Sequence, residues 1–195
     1  DEIKNVETDK DEENLLKGVV YTLTEFPTIN EVQIMVEGQI VPVLKNSVAI
    51  NEALSRENIN LVGSEDEARS KVVVYFKAGE EHNEYFIPLT IPTLAPMENV
   101  YTALDVLFDG PPAGTNLKSD IPSGIDLQAV EIKDGTAYVD IKSDGAADII
   151  DDMVLDDLMK NIGLTLSEFE EIETVELLLD GTAVNTSVPV FANEY

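Results

Sequence analysis

The segment from Asp109 to Gly124, DGPPAGTNLKSDIPSG, has the composition that most invites a chemical interpretation, because it holds three prolines and three glycines. Glycine-rich loops cradle phosphate groups when their backbone N–H groups converge at the start of a helix. Here an apolar helical pattern comes before the segment, and neither GxxxxGK[ST] nor GxGxxG occurs in the chain. Pro111, Pro112 and Pro122 also have no N–H to donate. We therefore predict that this segment, called the elbow below, is a rigid joint between a helix and a hairpin.

The segment from Asp140 to Asp151, DIKSDGAADIID, partly follows the spacing of a calcium-binding EF-hand loop. Acidic residues stand at its positions one, five, nine and twelve, and Gly145 stands at position six. Lys142, however, puts a cation at position three, and a strand pattern rather than a helix precedes the loop. We expect a loop whose aspartates begin a helix and complement the positive end of its dipole, with calcium binding as the alternative.

No recognisable arrangement for nucleophilic or acid–base chemistry occurs in the chain. His82, the one histidine, lies in the polar stretch GEEHNEY, and neither a GxSxG nor an SxxK motif accompanies it. Among thirty-nine acidic residues, carboxylate pairs can be drawn anywhere, and no tryptophan is present to form a sugar platform. The sequence therefore predicts a protein that is not an enzyme, with no catalytic residue, no cofactor and no metal centre.

Net charge and cysteine content narrow the classes of partner. Twelve basic against thirty-nine acidic residues give a formal charge of −27, which repels nucleic-acid phosphates and anionic lipid head groups. There is no cysteine for a disulfide, and no run of eighteen apolar residues that could span a bilayer. We therefore expect no nucleic-acid partner.

An internal duplication organises the chain. Residues 23–39, LTEFPTINEVQIMVEGQ, align without a gap with residues 166–182, LSEFEEIETVELLLDGT, and six of the seventeen positions are identical. In both copies apolar residues at helical spacing lie upstream, and a segment containing VPV lies downstream. Each copy is therefore predicted to form a helix, a short loop, a buried strand, a glycine turn and a short extended segment.

The second copy closes a longer pattern. Residues 71–91 have the pattern of two strands, residues 98–108 that of a helix, and residues 127–141 that of a hairpin with a type I′ turn at Asp134–Gly135. The apolar residues expected on the buried face of the hairpin are Val130, Ile132, Ala137, Val139 and Ile141. The order strand, strand, helix, hairpin, helix, strand predicts an α+β fold, with two helices packed on one face of a small antiparallel or mixed sheet.

The first copy lacks the elements that precede the second. Its helix and strand cannot bury both of their apolar faces alone, so we infer that another segment or another molecule completes them. We predict three parts: residues 1–62 are the C-terminal half of a first module whose N-terminal half is missing, residues 63–69 are a linker, and residues 70–195 are a complete module.

The sequence LDVLFDGPPAGTNLKSDIPSGIDLQAVEIKDGTAYVDI and the paired TEF and SEF helix ends resemble the GerM domain family of sporulation and germination proteins. The resemblance covers residues 70–185 as one whole module and residues from about 14 to 62 as the end of another. It implies a noncatalytic protein, secreted or lipid-anchored, that acts outside the cytoplasm at the spore or forespore envelope. It also implies protein–protein assembly of tandem modules, as in related small αβ domains that stack into rings.

These implications set the expected partners and contact residues. We expect protein partners of the sporulation envelope or further copies of this chain, with a peptidoglycan- or carbohydrate-binding module as the alternative. The resemblance also implies contact with a membrane only through a lipid anchor, whose lipobox cysteine these residues do not contain. The residues expected at the interface are Gly110, Pro111, Pro112, Ile121 and Pro122 of the elbow, and Tyr101 and Phe108 of the preceding helix.

Overall fold

The chain divides into two compact units, Asp1–Ile59 and Asn60–Tyr195, which we call unit 1 and unit 2. The structure, a computed structural model, describes residues 6–26, 28–56, 60–80, 83–144, 152–184 and 188–190. His82 and residues 145–151 of the calcium candidate lie outside the described residues. Asp140, the first residue of that candidate, accepts a hydrogen bond at Oδ1 from the Gly181 N–H (2.9 Å).

Unit 1 is built around one helix. Helix α1 spans Asp9–Thr24 and begins at Thr8, whose hydroxyl oxygen accepts a hydrogen bond from the Asp11 N–H (3.1 Å). Strands β1 (Glu31–Val32) and β2 (Leu54–Ser55) form a two-stranded antiparallel sheet. The strand predicted for this copy is observed only as β1. It is far shorter than the sequence pattern suggests, because its partner β2 also has only two residues.

The core of unit 1 is small and contains one buried carboxylate. Leu16, Val20, Leu44 and Ile50 are its buried apolar residues within the described part of the chain. Glu12 is also fully buried, and its carboxylate oxygens accept hydrogen bonds from the Asn46 N–H at 3.0 and 3.1 Å. Donors of this kind compensate the cost of burying a charge, so Glu12 holds the 45–48 turn against α1.

The described residues of unit 2 form two helices and two sheets. In chain order its elements are β3 (Ser70–Ala78), β4 (Tyr85–Thr93), α2 (Val100–Asp109), β5 (Ile125–Lys133), β6 (Thr136–Ser143), α3 (Asp152–Leu166), β7 (Thr174–Leu179), β8 (Thr182–Ala183) and β9 (Val188–Pro189). Strands β3 and β4 form an antiparallel pair. The second sheet has the order β5-β6-β7-β8, with β9 also on β7, and its β6–β7 pairing is parallel. The predicted α+β class with a mixed sheet is confirmed.

The core of unit 2 lies where the two helices meet both sheets. Helix α2 packs on β3 and β5, and α3 packs on α2, β3 and β7. Fully buried side chains from these elements include Val74, Phe76, Leu104, Leu107, Ile162 and Leu177. In the apolar run VVVYF of β3, Val72, Val74 and Phe76 are buried on one face and Tyr75 is buried on the other, whereas Val73 is half-buried.

The hairpin of β5 and β6 turns as predicted, with one correction to its buried face. Asp134 and Gly135 have φ values of 50° and 78°, as a type I′ turn requires, and Lys133 pairs with Thr136. Ile132 was expected in the interior, but its side chain is 46% exposed. The reason is that β5 is the edge strand of its sheet, so Ile132 has no neighbouring strand on one side.

Candidate interaction surface

The elbow begins where a glycine ends α2. Gly110 has a φ of 86°, and its N–H donates to the Leu107 carbonyl oxygen (3.1 Å), so it closes the helix in a conformation that favours glycine. Pro111 then prevents a further helical turn. Gly124, at the other end, has a φ of 85°, and a Cβ there would clash with the carboxylate of Asp144. The elbow is therefore a joint of fixed shape, as its composition predicts.

Backbone hydrogen bonds join the middle of the elbow to β3. The Lys77 N–H donates to the Lys118 carbonyl oxygen (3.1 Å), and the Lys118 N–H donates to the Lys77 carbonyl oxygen (2.8 Å). The elbow thus adds one antiparallel bridge to the outer edge of β3. These bonds leave the two backbone N–H groups engaged within the protein rather than directed at a ligand.

An ion pair beneath this bridge holds the elbow a second time. Lys77 is 8% exposed, and its Nζ lies 2.7 Å from Asp120 Oδ1, 3.5 Å from Glu84 Oε2 and 3.8 Å from Asp157 Oδ2. Burial alone would lower the pKa of Lys77, but the hydrogen bond to Asp120 and the nearby carboxylates outweigh it and raise that pKa. The ammonium group therefore stays charged, and it neutralises an otherwise acidic cluster.

The pKa of Asp120 is affected more by burial than by the contact with Lys77. Burial raises the pKa of Asp120, and the contact with Lys77 offsets only part of that rise. Its Oδ2 is buried and accepts no hydrogen bond from the described residues. The attraction between Lys77 and Asp120 is offset by the cost of burying the Asp120 carboxylate. The pair therefore fixes the position of the elbow but is not a large source of stability.

Most of the predicted contact residues serve this joint. Phe108 and Ile121 are partly buried and pack against the core of unit 2. Gly110, Pro111, Pro112 and Pro122 of the elbow are also half-buried. Tyr101 alone among the seven is well exposed, with 48% of its surface accessible, so it is the predicted residue best placed to meet a partner.

Two exposed apolar residues that sequence reasoning missed lie just upstream of Tyr101. Leu94 is 70% exposed and Met97 is 68% exposed, in the loop that leads from β4 into α2. We call Leu94, Met97 and Tyr101 the Met97 surface. The stretch TLAPMEN was a usable signal, because large apolar residues in a proline-containing loop have no periodic reason to be buried.

The loop that carries Met97 is fixed by the start of α2. Asn99 is the N-cap of that helix: its Oδ1 accepts a hydrogen bond from the Thr102 N–H (2.9 Å). Its Nδ2 donates to the Met97 carbonyl oxygen (3.1 Å). One side chain thus orders both the helix end and the loop, and this lowers the entropy cost of presenting Met97 to a partner.

A cluster of carboxylates includes Glu98, the residue that follows Met97 in the chain. Burial raises the pKa of Glu98, and the charges of Glu168 and Glu171 raise it further. Glu168 also accepts a hydrogen bond from the Tyr75 hydroxyl group (2.7 Å). Exposed apolar side chains beside a cluster of negative charge suit a partner that offers an apolar anchor among lysines and arginines.

The described residues offer little for other chemistries. No group of three or more histidine, cysteine, aspartate or glutamate side chains among them could hold a metal ion. No helix in the described part of the chain is long and apolar enough to cross a membrane.

Comparison with known proteins identifies relatives of both units. A family model described as "Germane: Sporulation and spore germination" matches residues 2–42 and 73–185. The Spore germination protein GerM of Bacillus subtilis (strain 168) is 28% identical over 189 residues, which cover 92% of this chain and 51% of that protein. The chain therefore spans about half the length of the curated relative it matches.

A solved structure shares the fold. The tandem GerMN domains of the sporulation protein GerM from Bacillus subtilis match this chain with a TM-score of 0.73 and 23% sequence identity. The match covers 90% of this chain and 64% of that chain. The α+β architecture described above is thus one already seen in a sporulation protein.

Proposed function

This chain belongs to the Germane family of sporulation and spore germination proteins, and we propose that it acts there as a noncatalytic assembly protein. In this proposal it works outside the cytoplasm, in the spore or forespore envelope, and binds a basic protein partner through the Met97 surface. The rigid fold positions that surface, and the protein itself performs no reaction.

The exposure of the Met97 surface carries the proposal. Leu94, Met97 and Tyr101 expose 70%, 68% and 48% of their surface within eight residues of chain. Aromatic residues and methionine are enriched at protein interfaces, and apolar anchors of this kind supply most of the affinity. The neighbouring carboxylates Glu98 and Glu168 would select a positively charged partner.

The construction of the elbow supports an assembly role. Its backbone groups form hydrogen bonds with β3. The ion pair between Lys77 and Asp120 holds it a second time, and Phe108 and Ile121 pack against the core of unit 2. A segment engaged in this way sets the angle between α2 and the β5–β6 hairpin. Such rigidity suits a module that must present the same surface in every copy of an assembly.

The family supports the biological setting. The matched relative is described as a spore germination protein, and the solved structure as part of a sporulation protein. Neither description denotes an enzyme. The envelope location and the identity of the partner are our extension of these descriptions to this chain.

The proposal is tested by substitutions made in the native gene, in the organism that encodes this chain. Changing Met97 and Tyr101 to serine together should lower the yield of heat-resistant spores or slow their germination, with normal protein abundance on immunoblots. Tyr85→Ser is the matched control, because Tyr85 is also well exposed (58%) but stands at the start of β4.

Normal sporulation and germination in the double variant would contradict the proposal. The cell-wall alternative has its own readout, which is cosedimentation of the purified protein with insoluble peptidoglycan. Retention that persists in the double variant would favour a wall-binding module over protein assembly.

A further inference from the structure

The outer edge of β4 is closed to further strand pairing. The backbone N–H and C=O groups of Tyr75 point away from β4, so the backbone of its pairing partner Pro88 also points away from β3. Because this direction alternates along a strand, the backbone of Pro92 points outward as well. Prolines at such positions offer no N–H to another strand. The Val62 N–H also donates a hydrogen bond to the outward Thr90 carbonyl oxygen (3.0 Å).

The outer edge of β3 and the far edge of the larger sheet are closed by other means. Asn161 Nδ2 donates to the Tyr75 carbonyl oxygen (2.7 Å), and the Tyr75 N–H donates to Thr165 Oγ1 (3.3 Å). Lys118 bonds the same edge at Lys77. In the larger sheet, β8 and β9 cover the outer side of β7. Exposed edges invite unwanted pairing, and here each is protected.

The edge of β5 differs from these three. Lys133 and Thr136 flank the two-residue turn and exchange hydrogen bonds, so Val130 and Ile132 direct their backbone groups away from β6. No hydrogen bond from elsewhere in the described part of the chain reaches these groups. Strand β5 contains no proline. It is therefore an open edge with an exposed isoleucine side chain upon it.

We propose that β5 of one copy pairs antiparallel with β5 of a second copy, with Ile132 on the twofold axis. In that register the two Ile132 residues exchange N–H···O bonds and cover each other's side chains. Glu131 of each copy then stands directly opposite Lys133 of the other. The segment Glu-Ile-Lys is thus complementary to itself, which is why we choose a second copy over an extended basic peptide.

The side chains that would meet are available for this contact. Glu131 and Lys133 are exposed, and neither has an ion-pair partner among the described residues. Both lie on the face of the sheet opposite to Ile132, since successive side chains alternate. Directly opposite charges on neighbouring antiparallel strands stabilise a pair, whereas like charges there destabilise it.

The contact would be weak for an isolated pair of molecules. Few backbone bonds form, and a net charge of −27 on each copy opposes association. A weak, specific edge becomes effective when copies are held close together by other contacts. The inference thus deepens the assembly role proposed above, although the pairing itself is testable without it.

Charge reversal at the two positions tests the pairing. The dissociation constant of the purified chain is measured by sedimentation equilibrium at about 0.15 M salt, where long-range repulsion is screened. Glu131→Lys and Lys133→Glu should each weaken the dimer about tenfold, because each places like charges opposite one another. The double variant should return to within about threefold of the native value.

Total charge distinguishes this mechanism from general repulsion. Glu131→Lys changes the formal charge of −27 by +2, Lys133→Glu changes it by −2, and the double variant leaves it unaltered. If repulsion alone governed association, the first variant would associate more strongly than the native chain. That result, or a chain that stays monomeric up to about 1 mM, would overturn the proposal.

A backbone variant provides an independent test. Ile132→Pro removes the outward N–H but none of the hydrogen bonds within the hairpin, so the monomer should keep its thermal stability while the dimer is lost. Unchanged dimerisation of this variant would also overturn the proposal. Spore phenotypes of the Met97 variants do not depend on this result, so failure of one proposal can be told from failure of the other.

Discussion

Helix α1 in unit 1 and helix α3 in unit 2 come from the two copies of the duplicated segment, yet their apolar faces have different surroundings. In α3, the side chains of Leu158, Ile162 and Leu166 are completely buried against β3 and α2. The aligned residues of α1 are Leu15, Val19 and Leu23; Val19 is 37% exposed, and the other two are only half-buried. Similar spacing therefore produces a core in one copy and a partly open face in the other.

The difference continues beyond the helices. Phe169 is 8% exposed, whereas its counterpart Phe26 is 59% exposed. An open groove of about 580 Å³ runs along this side of α1, and the residues that line it are Asn14, Leu15, Gly18, Val19, Thr22 and Leu23. The apolar pattern specifies which face should be covered, but it does not supply the cover. Our prediction that residues 1–62 form half of a module accounts for this face and remains a prediction.

Polar positions of the two helices differ in the same way. Thr165 accepts a hydrogen bond from the backbone of Tyr75 in β3. The aligned residue of α1, Thr22, donates instead to the Gly18 carbonyl oxygen in its own helix (2.7 Å). The same residue type therefore links two elements in unit 2 and only one in unit 1.

The largest effect should come from truncating the aligned apolar positions. Ile162→Ala should destabilise unit 2 by about 4 kcal/mol, because it opens a cavity in a fully buried site. Val19→Ala should cost less than about 1 kcal/mol, since part of that side chain already contacts water. Guanidinium unfolding followed by tyrosine fluorescence measures the first, as five of the six tyrosines lie in unit 2.

Hydrogen exchange of peptides from α1 measures the loss of stability caused by Val19→Ala. Equal losses at the two positions would show that the face of α1 is as well covered as that of α3. The comparison between the copies would then have to be abandoned.

A smaller effect is expected at the aligned threonines. Thr165→Val keeps the shape of the side chain but removes the acceptor of the Tyr75 N–H, which should cost about 1 kcal/mol. Thr22→Val removes only a bond within its own helix and should change stability by less than about 0.5 kcal/mol. Exchange rates of the β3 amides test the link directly, since they should rise in the first variant alone. Unchanged β3 exchange would mean that Thr165 does not fasten that strand.

Much of unit 2 could be predicted from residue spacing. The elbow, the type I′ turn at Asp134–Gly135 and the α+β class follow from local rules, because proline, glycine and alternation act over a few residues. The exposure of Ile132 could not be predicted in this way. It depends on which strand lies at the edge of the sheet, and that is a property of the whole fold.

The candidate site was predicted only in part for the same reason. Tyr101 is a predicted contact residue that is exposed in the structure. The ion pair of Lys77 with Asp120, in contrast, joins residues far apart in the chain, and no local pattern relates them. Leu94 and Met97 were missed because apolar residues in a loop are usually assigned to the core by default. The proline-containing stretch around them is the signal that such an assignment overlooks, and the structure shows both side chains exposed.

The smallest effect concerns glutamates that the duplication aligns, Glu25 and Glu168. Glu25 forms an ion pair with Arg56, whereas Glu168 is one of the charges that, after burial, raise the pKa of Glu98. Between the ordinary pKa of Glu98 and its raised value, the folded state binds more protons than the unfolded state. Stability contributed by this group is therefore lost as pH rises through that interval, and the cost is complete at neutral pH.

Replacing Glu98 with glutamine should thus raise the stability of unit 2 by about 0.3 kcal/mol at pH 7, a small value because the site is partly exposed. The gain should disappear near pH 4, where the native carboxyl group becomes protonated. Glu25→Gln should have the opposite sign at pH 7, since it removes one partner of an ion pair. Calorimetric melting at the two pH values measures both variants. A gain for Glu98→Gln that is equal at pH 7 and pH 4 would show that neither burial nor the neighbouring carboxylates act on its charge.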